Sequence, residues 1–187
     1  MSIFLLILAY ATIGVLFFII IVGLFWEKSL LLTKAPFIPI PKDVLNNISL
    51  QLKLQPDSIV YDLGCGDGRV LEACLKLQPQ AKYIGIEKEI VPYCLAWWRL
   101  RKFIKTGHCQ IIHQNFFKIN LTPATCIFTY LFPQLMDDLL PKFQAELQPK
   151  TRLVSCDFLF SNKLSLETID LKRSPHSLGK RLHIYEF

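Results

Sequence analysis

Twelve residues, Ser58-Ile59-Val60-Tyr61-Asp62-Leu63-Gly64-Cys65-Gly66-Asp67-Gly68-Arg69, restrict the folds open to this chain more than any other stretch. The first half is short, apolar and β-branched, which reads as a buried strand. Glycines at alternate positions follow at once, and Val70 to Leu77 has helical composition. A strand, a glycine turn and a helix in that order form the ligand-binding corner of an open α/β sheet. The glycines let the backbone turn sharply and approach a ligand without Cβ atoms in the way. The third glycine of a G-x-G-x-x-G fingerprint would fall at position 69, which is Arg69. No Lys-Ser or Lys-Thr follows, so the loop is neither a dinucleotide fingerprint nor a P-loop. Asp62 carries the wrong sign for a pyrophosphate and suits a ligand with ammonium or hydroxyl groups.

Three more short apolar runs end in polar residues. Tyr83-Ile84-Gly85-Ile86-Glu87 places an acid 19 residues beyond Gly68, about the interval at which a βαβ unit holds ribose hydroxyls. Cys109 to Phe117 carries Asn115 and Phe116 at its polar end, and Thr125 to Pro133 carries Tyr130. Ligands of open α/β sheets bind outside the carboxyl ends of the strands. Asp62, Glu87, Asn115 and Tyr130 are therefore expected along one edge.

The loop Asp62-Leu63-Gly64-Cys65-Gly66-Asp67-Gly68 resembles motif I of the class I methyltransferases that use S-adenosyl-L-methionine. The resemblance implies a Rossmann-like α/β sheet of about seven strands, mostly parallel with an antiparallel edge strand. It implies cofactor binding by Asp62, Gly64, Cys65, Gly66 and Gly68, with Glu87 on the ribose and Asn115, beside Phe116, on the adenine. A narrower likeness rests on an N-terminal apolar segment, Pro36-Phe37-Ile38-Pro39-Ile40-Pro41, Tyr130-Leu131-Phe132-Pro133, and Thr151-Arg152-Leu153-Val154-Ser155-Cys156-Asp157-Phe158. Together these are similar to the small membrane-associated protein-lysine methyltransferases of the ATP synthase c-subunit and adenine nucleotide translocase. Asn115 stands where that subgroup mostly has Asp, and an amide can still pair with an adenine edge.

That likeness implies methylation of a lysine on a membrane protein. Methyl transfer from a sulfonium needs alignment and exclusion of water more than activation. Tyr130 is the candidate catalytic residue, placing the amine, with Asp157 as a second. Tyr130 also reads as an amphipathic strand-end aromatic with its hydroxyl in water. Two other classes stay open: a methyltransferase for a lipid, quinone or other small molecule, and a non-catalytic cofactor-binding membrane protein. Nucleic acid is not an expected partner, because there is no Asn-Pro-Pro-Tyr motif and no separate basic segment. The histidines show no metal or triad spacing, and no metal site is expected.

Ile3 to Trp26 are 24 consecutive uncharged, mostly apolar residues, long enough for a bilayer, which needs ~20. No basic residue precedes them and no small-residue cleavage site follows, so they read as a retained anchor rather than a signal peptide. All 21 basic and 15 acidic residues lie after the run, beginning with Glu27 and Lys28. The positive-inside rule then places the C-terminal domain in the cytoplasm, with Trp26 at the interface. The domains expected are an anchor at 1–27, a Pro-rich juxtamembrane linker at 28–42 and a methyltransferase domain at 43–187. The Pro-rich segment reads as a stiff spacer or as a lid across the cleft. Asp43 is the expected N-cap of a short helix after it. Glu89 to Lys105 reads as a helix with Tyr93, Trp97, Leu100 and Ile104 inward and Arg99, Lys102 and Lys105 outward, or with Trp98 and the basic residues on a membrane surface. The six cysteines form no C-x-x-C pair and read as small buried residues of a reducing compartment.

Overall fold

Between residues 59 and 156, strands joined by helices or a short turn return parallel to one another. A computed structural model describes residues 3–32 and 37–187, in two units divided between Pro36 and Phe37. Lys34 and Pro36, and the side chain of Trp26, lie outside the described residues. In the first unit, α1 (Ile3–Leu32) is one continuous helix. Its stretch Leu5–Leu24 is 20 residues long, apolar enough to cross a bilayer, and unburied.

The second unit begins with a 3-10 turn at Lys42–Val44 and α2 (Leu45–Gln51). Then come β1 (Ile59–Leu63), α3 (Arg69–Leu77), β2 (Lys82–Glu87), α4 (Ile90–Lys105) and β3 (Cys109–His113). β4 (Cys126–Thr129), α5 (Pro133–Glu146), β5 (Arg152–Cys156), β6 (Glu167–Asp170) and β7 (Arg181–Glu186) complete it. The strands form one seven-stranded sheet in the order β3-β2-β1-β4-β5-β7-β6. β1 to β5 pair in parallel, and β7 runs antiparallel between β5 and β6. The chain direction across the sheet reverses between β1 and β4, the switch point at which such sheets bind ligands.

Parallel strands are buried on both faces, which is why their sequences read as continuous apolar runs. On one face, Val60, Phe128, Val154 and Ile184 join a core with Ile48 of α2, Leu71 of α3 and Leu100 of α4. On the other, Phe143 of α5 packs edge-on against Phe160, which in turn meets Tyr185 of β7. β6 is the short, largely exposed edge, with Glu167 and Asp170 at its ends, a composition that discourages pairing with another chain.

Two local expectations are corrected. Asp43 caps no helix: it sits in the 3-10 turn and pairs with Arg173, and Val44, the N-cap of α2, makes no side-chain cap. In α4 the buried residues are Pro92, Ala96 and Leu100, while Trp97 stays 49% exposed. The cause is close approach to the loop after β1: the Cβ of Ala96 lies 3.2 Å from where a Cβ on Gly68 would be, so a small residue has to face inward there. The cysteines divide as well. Five are buried, and Cys94 on α4 is exposed.

The end of β5 is strapped to the loop before β7. Asp157, with φ +62°, accepts from the backbone N–H of Gly179 at 2.6 Å, Lys180 at 2.6 Å and Arg181 at 3.1 Å. Asp and Asn tolerate this left-handed backbone better than other side chains. Asp157→Ala is expected to cost on the order of 2–3 kcal/mol of stability in denaturant titrations, the scale of lost bonds to a charged acceptor. Asp157→Asn keeps one acceptor oxygen and should cost about half of that. A loss of turnover in Asp157→Asn far beyond its loss of stability would give the carboxylate a role in the chemistry itself.

Candidate active site

β1 delivers Asp62 to the carboxyl edge of the sheet. The chain then turns through Gly64, Gly66 and Gly68, whose φ angles are +76°, +56° and +76°. Gly68 caps α3 in this left-handed conformation, and a Cβ there would lie 2.8 Å from Leu100. Both the backbone angle and the space require glycine. The loop is held from β2: the N–H groups of Gly64 and Cys65 donate to the Ile86 carbonyl at 2.8 and 3.0 Å. The next one, Gly66 N–H, donates to Glu87 Oε2 at 2.9 Å.

Glu87 is buried and fixed by two further donors, Lys88 N–H and Glu89 N–H, at 2.8 and 2.9 Å from Oε1. A carboxylate offers about four lone-pair sites, so one site remains for a ligand hydroxyl. Cys65 packs against β2 from within the loop. A Cβ on Gly85 would lie 2.8 Å from its Sγ, so both positions need small residues. Burial, then the charges of Asp62 and Glu87, push the Cys65 thiol well above its ordinary pKa, and it stays neutral.

Asp62 is 2% exposed, and its Oδ2 meets no hydrogen-bond donor. Burial, then Glu87, then Asp67, push its carboxyl well above the usual carboxylate range. A buried acceptor left unsatisfied is costly, and this one fits a ligand that brings an ammonium or hydroxyl group. Asp67 behaves differently. Against burial, which raises it, the guanidinium groups of Arg69 and Arg99 hold its carboxyl below the usual range. Arg69 and Arg99 each place a nitrogen 2.7 Å from Asp67 Oδ2, and Arg99 also reaches the Asp67 carbonyl at 2.8 Å and Glu72 at 3.2 Å. Two cations thus neutralise the outer carboxylate of the loop, and Asp62 is left for what the cleft receives.

The Pro-rich segment meets the same loop. A Cβ on Gly66 would fall 2.5 Å from the Phe37 ring, so that ring lies directly over the glycine. Ile40 is buried in the core, and its carbonyl accepts from Arg69 at 2.7 Å.

On the β3 side, Asn115 Oδ1 accepts from Phe117 N–H at 3.0 Å and retains a second lone pair; the Phe116 ring lies 5.0 Å from that of Phe117. His113, paired in register with Glu87, bonds the Lys88 carbonyl through Nε2 at 2.8 Å. On the other side, Leu131 places a methyl group 3.3 Å from the would-be Cβ of Gly64, so the end of β4 abuts the loop. Half-buried Tyr130 stacks 5.5 Å from Phe158, which meets Phe132 at 5.4 Å. Burial, then the charges of Asp157 and Cys156, push the Tyr130 hydroxyl up to about 12.

The structure therefore brings Asp62, Gly64, Cys65, Gly66, Gly68 and Glu87 into one contiguous loop and strand end. Asn115 and Phe116 lie one strand to one side, and Tyr130 one strand to the other. Asp157 stands apart in role, because both of its oxygens hold backbone N–H groups. Arg99, Phe37 and Phe158 are the contributors that sequence reasoning missed. Arg99 read as part of a solvated basic face, and only its approach to Asp67 reveals its part. Among the described residues, no group of three or more His, Cys, Asp or Glu could hold a metal ion.

An orphaned buried carboxylate, a glycine cradle and a ribose-spaced acid fit S-adenosylmethionine, whose methionine end is cationic. Comparison with known proteins agrees. Residues 62–165 match the family described as the ANTKMT methyltransferase domain. A protein-lysine N-methyltransferase of Saccharolobus islandicus is 36% identical over 125 residues, covering 66% of this chain and 76% of that protein. The ATP synthase c-subunit lysine N-methyltransferase of Xenopus laevis is 28% identical over 130 residues, covering 68% of this chain. This chain spans 55% of that relative's length. Among solved structures, an RNA methyltransferase of Salinibacter ruber with bound S-adenosyl-L-homocysteine superposes with a TM-score of 0.72 at 24% identity. The superposition covers 80% of this chain and 93% of the other, and it speaks to the fold alone. The chain belongs to the ANTKMT methyltransferase-domain family of S-adenosylmethionine-dependent methyltransferases.

Proposed function

We propose that this enzyme is anchored in a membrane by α1 and methylates a lysine side chain of a small membrane protein, with residues 37–187 on the cytoplasmic side. The observation that carries the reading is the meeting, at one sheet edge, of an unpartnered buried carboxylate with an aromatic wall. Asp62 supplies the first, and Tyr130, Phe158 and Phe132 supply the second. Aromatic faces attract an alkyl-ammonium group and offer nothing comparable to a phosphate. Two further facts support it: the relatives named above are protein-lysine methyltransferases, and one is named for the ATP synthase c-subunit. The uncharged run 3–26, with every charge after it, supports the anchor and its orientation. From Glu27 to Pro39 the chain reaches at most roughly 45 Å, so the cleft stays close to the bilayer.

When bound, S-adenosylmethionine supplies a methyl group already activated by a positively charged sulfur. Asp62 would hold its ammonium end, Glu87 its ribose hydroxyls, and Asn115 with Phe116 its adenine. Phe158 and Phe132 would line the alkyl chain of the lysine. Tyr130, with its pKa raised to about 12, keeps its proton near neutral pH and does not take the lysine's proton, which leaves to solvent water before the neutral amine meets the methyl group. Its oxygen instead accepts from an amine N–H, which turns the nitrogen lone pair away from the ring and toward the reacting carbon. Asp157 acts at one remove, its charge helping to hold the Tyr130 hydroxyl protonated.

Three outcomes follow. Glu87→Ala removes the ribose acceptor and one anchor of the loop, and calorimetry should show cofactor affinity lowered by about 1.5–3 kcal/mol; unchanged affinity would remove Glu87 from the site. Labelled methyl transfer to membrane extracts should yield methyl-lysine after acid hydrolysis of the protein fraction. Tyr130→Phe should lower that turnover roughly tenfold, about 1.4 kcal/mol of transition-state positioning, at unchanged cofactor affinity. Label entering only the lipid fraction would move the enzyme to the small-molecule class.

A further inference from the structure

α4 contains four basic residues and no acidic one. Its buried side is occupied by Pro92, Ala96 and Leu100, and Arg99 is committed to Asp67 and Glu72. Successive residues turn by ~100° in a helix, which gathers Ile90, Val91, Cys94, Leu95 and Trp98 on the opposite side. Ile90 is 56% exposed, Val91 51%, Leu95 48% and Trp98 65%, and Trp97 flanks them. Soluble surfaces rarely carry so continuous an apolar patch without an occupant. The same side continues into Arg101, Lys102 and Lys105, and the Arg101 guanidinium lies 4.6 Å over the Trp98 ring.

We propose that this face of α4 rests on the headgroup layer of an anionic bilayer, as a membrane contact separate from α1. The composition selects lipid over a protein partner. Trp and aliphatic side chains followed by a basic end are what an interfacial helix presents to acyl boundary and anionic headgroups together. Lys102 and Lys105 are long enough to keep their stems on apolar surface while their charges reach the phosphates. The overall charge of +6 has the matching sign. The consequence deepens the membrane reading above and rests on it. α4 starts three residues after Glu87, so its N-terminal turn lies at the ligand-binding edge of the sheet. Docking this helix brings the cleft to the bilayer surface, where the lysine of a membrane protein would emerge. The anchor limits distance; the helix sets orientation.

Cys94 provides a native probe, since it is the exposed cysteine in the centre of this face and the other five are buried. The full-length chain, spin-labelled at Cys94, is reconstituted in vesicles of phosphatidylcholine with phosphatidylglycerol and in phosphatidylcholine alone. Collision of the label with oxygen should exceed collision with a water-soluble nickel complex in the anionic vesicles. The excess should shrink in the neutral vesicles and in a variant carrying Lys102→Glu and Lys105→Glu, with S-adenosylhomocysteine binding unchanged. A label that stays water-accessible in anionic vesicles overturns the proposal. So does dipolar broadening indifferent to lipid charge, which would assign the face to a second copy of the chain. Carbonate extraction of the same samples reports on α1 independently. A water-exposed label on a carbonate-resistant protein sinks the docking and leaves the anchor. A lipid-buried label on an extractable protein does the reverse.

Discussion

Gly66 N–H reaches the carboxylate of Glu87 across the gap between the β1 loop and the end of β2, and the site depends on that bond. A glycine turn free of side chains has no packing of its own to hold its shape. Here β2 supplies the shape through the Ile86 carbonyl and then through Glu87, whose other oxygen is fixed by the first N–H groups after the strand. From the far side, Arg69 and Arg99 grip Asp67. With both ends of the loop held, Asp62 can stay buried and unpaired instead of relaxing toward a donor. An uncompensated polar group of this kind costs stability, and such exceptions to polar satisfaction concentrate where proteins bind ligands.

The electrostatics of the cleft divide along the same lines. Asp67 has two guanidinium partners and is held ionised, whereas Asp62 has its carboxyl pushed up by burial and by neighbouring acids. A cation entering the cleft would favour the ionised form of Asp62, so a cationic ligand suits this position. The Phe37 ring over Gly66 and the Ile40 carbonyl on Arg69 join the segment that follows α1 to this loop.

Much of this was legible in the sequence because it depends on local chemistry. The strand runs, the alternate glycines and the acid at 87 are each determined within a few residues, and they settle the sheet and the course of the loop. What the sequence left unread is long-range. Trp97 fits the inward face of α4 by spacing, but the close approach to Gly68 demands Ala96. Arg99 has the sequence of a solvated cation, and its carboxylate partner lies 32 residues away. Asp157 follows a strand at the ligand edge, and its bonds to a loop more than 20 residues on are not visible in the sequence. Phe37 lay in a segment whose composition favoured a spacer over a lid. What settles such residues is the neighbour the fold brings, and spacing along the chain does not carry that information.

We propose Asp62 and Glu87 as the two polar ends of a cofactor cradle. A crystal structure with S-adenosylhomocysteine bound decides this pairing. In it the amino group of the product should satisfy Asp62 Oδ2, directly or through one ordered water, and a ribose hydroxyl should take the remaining lone pair of Glu87. A product molecule bound with Asp62 Oδ2 still unpartnered and its ribose away from Glu87 would contradict it.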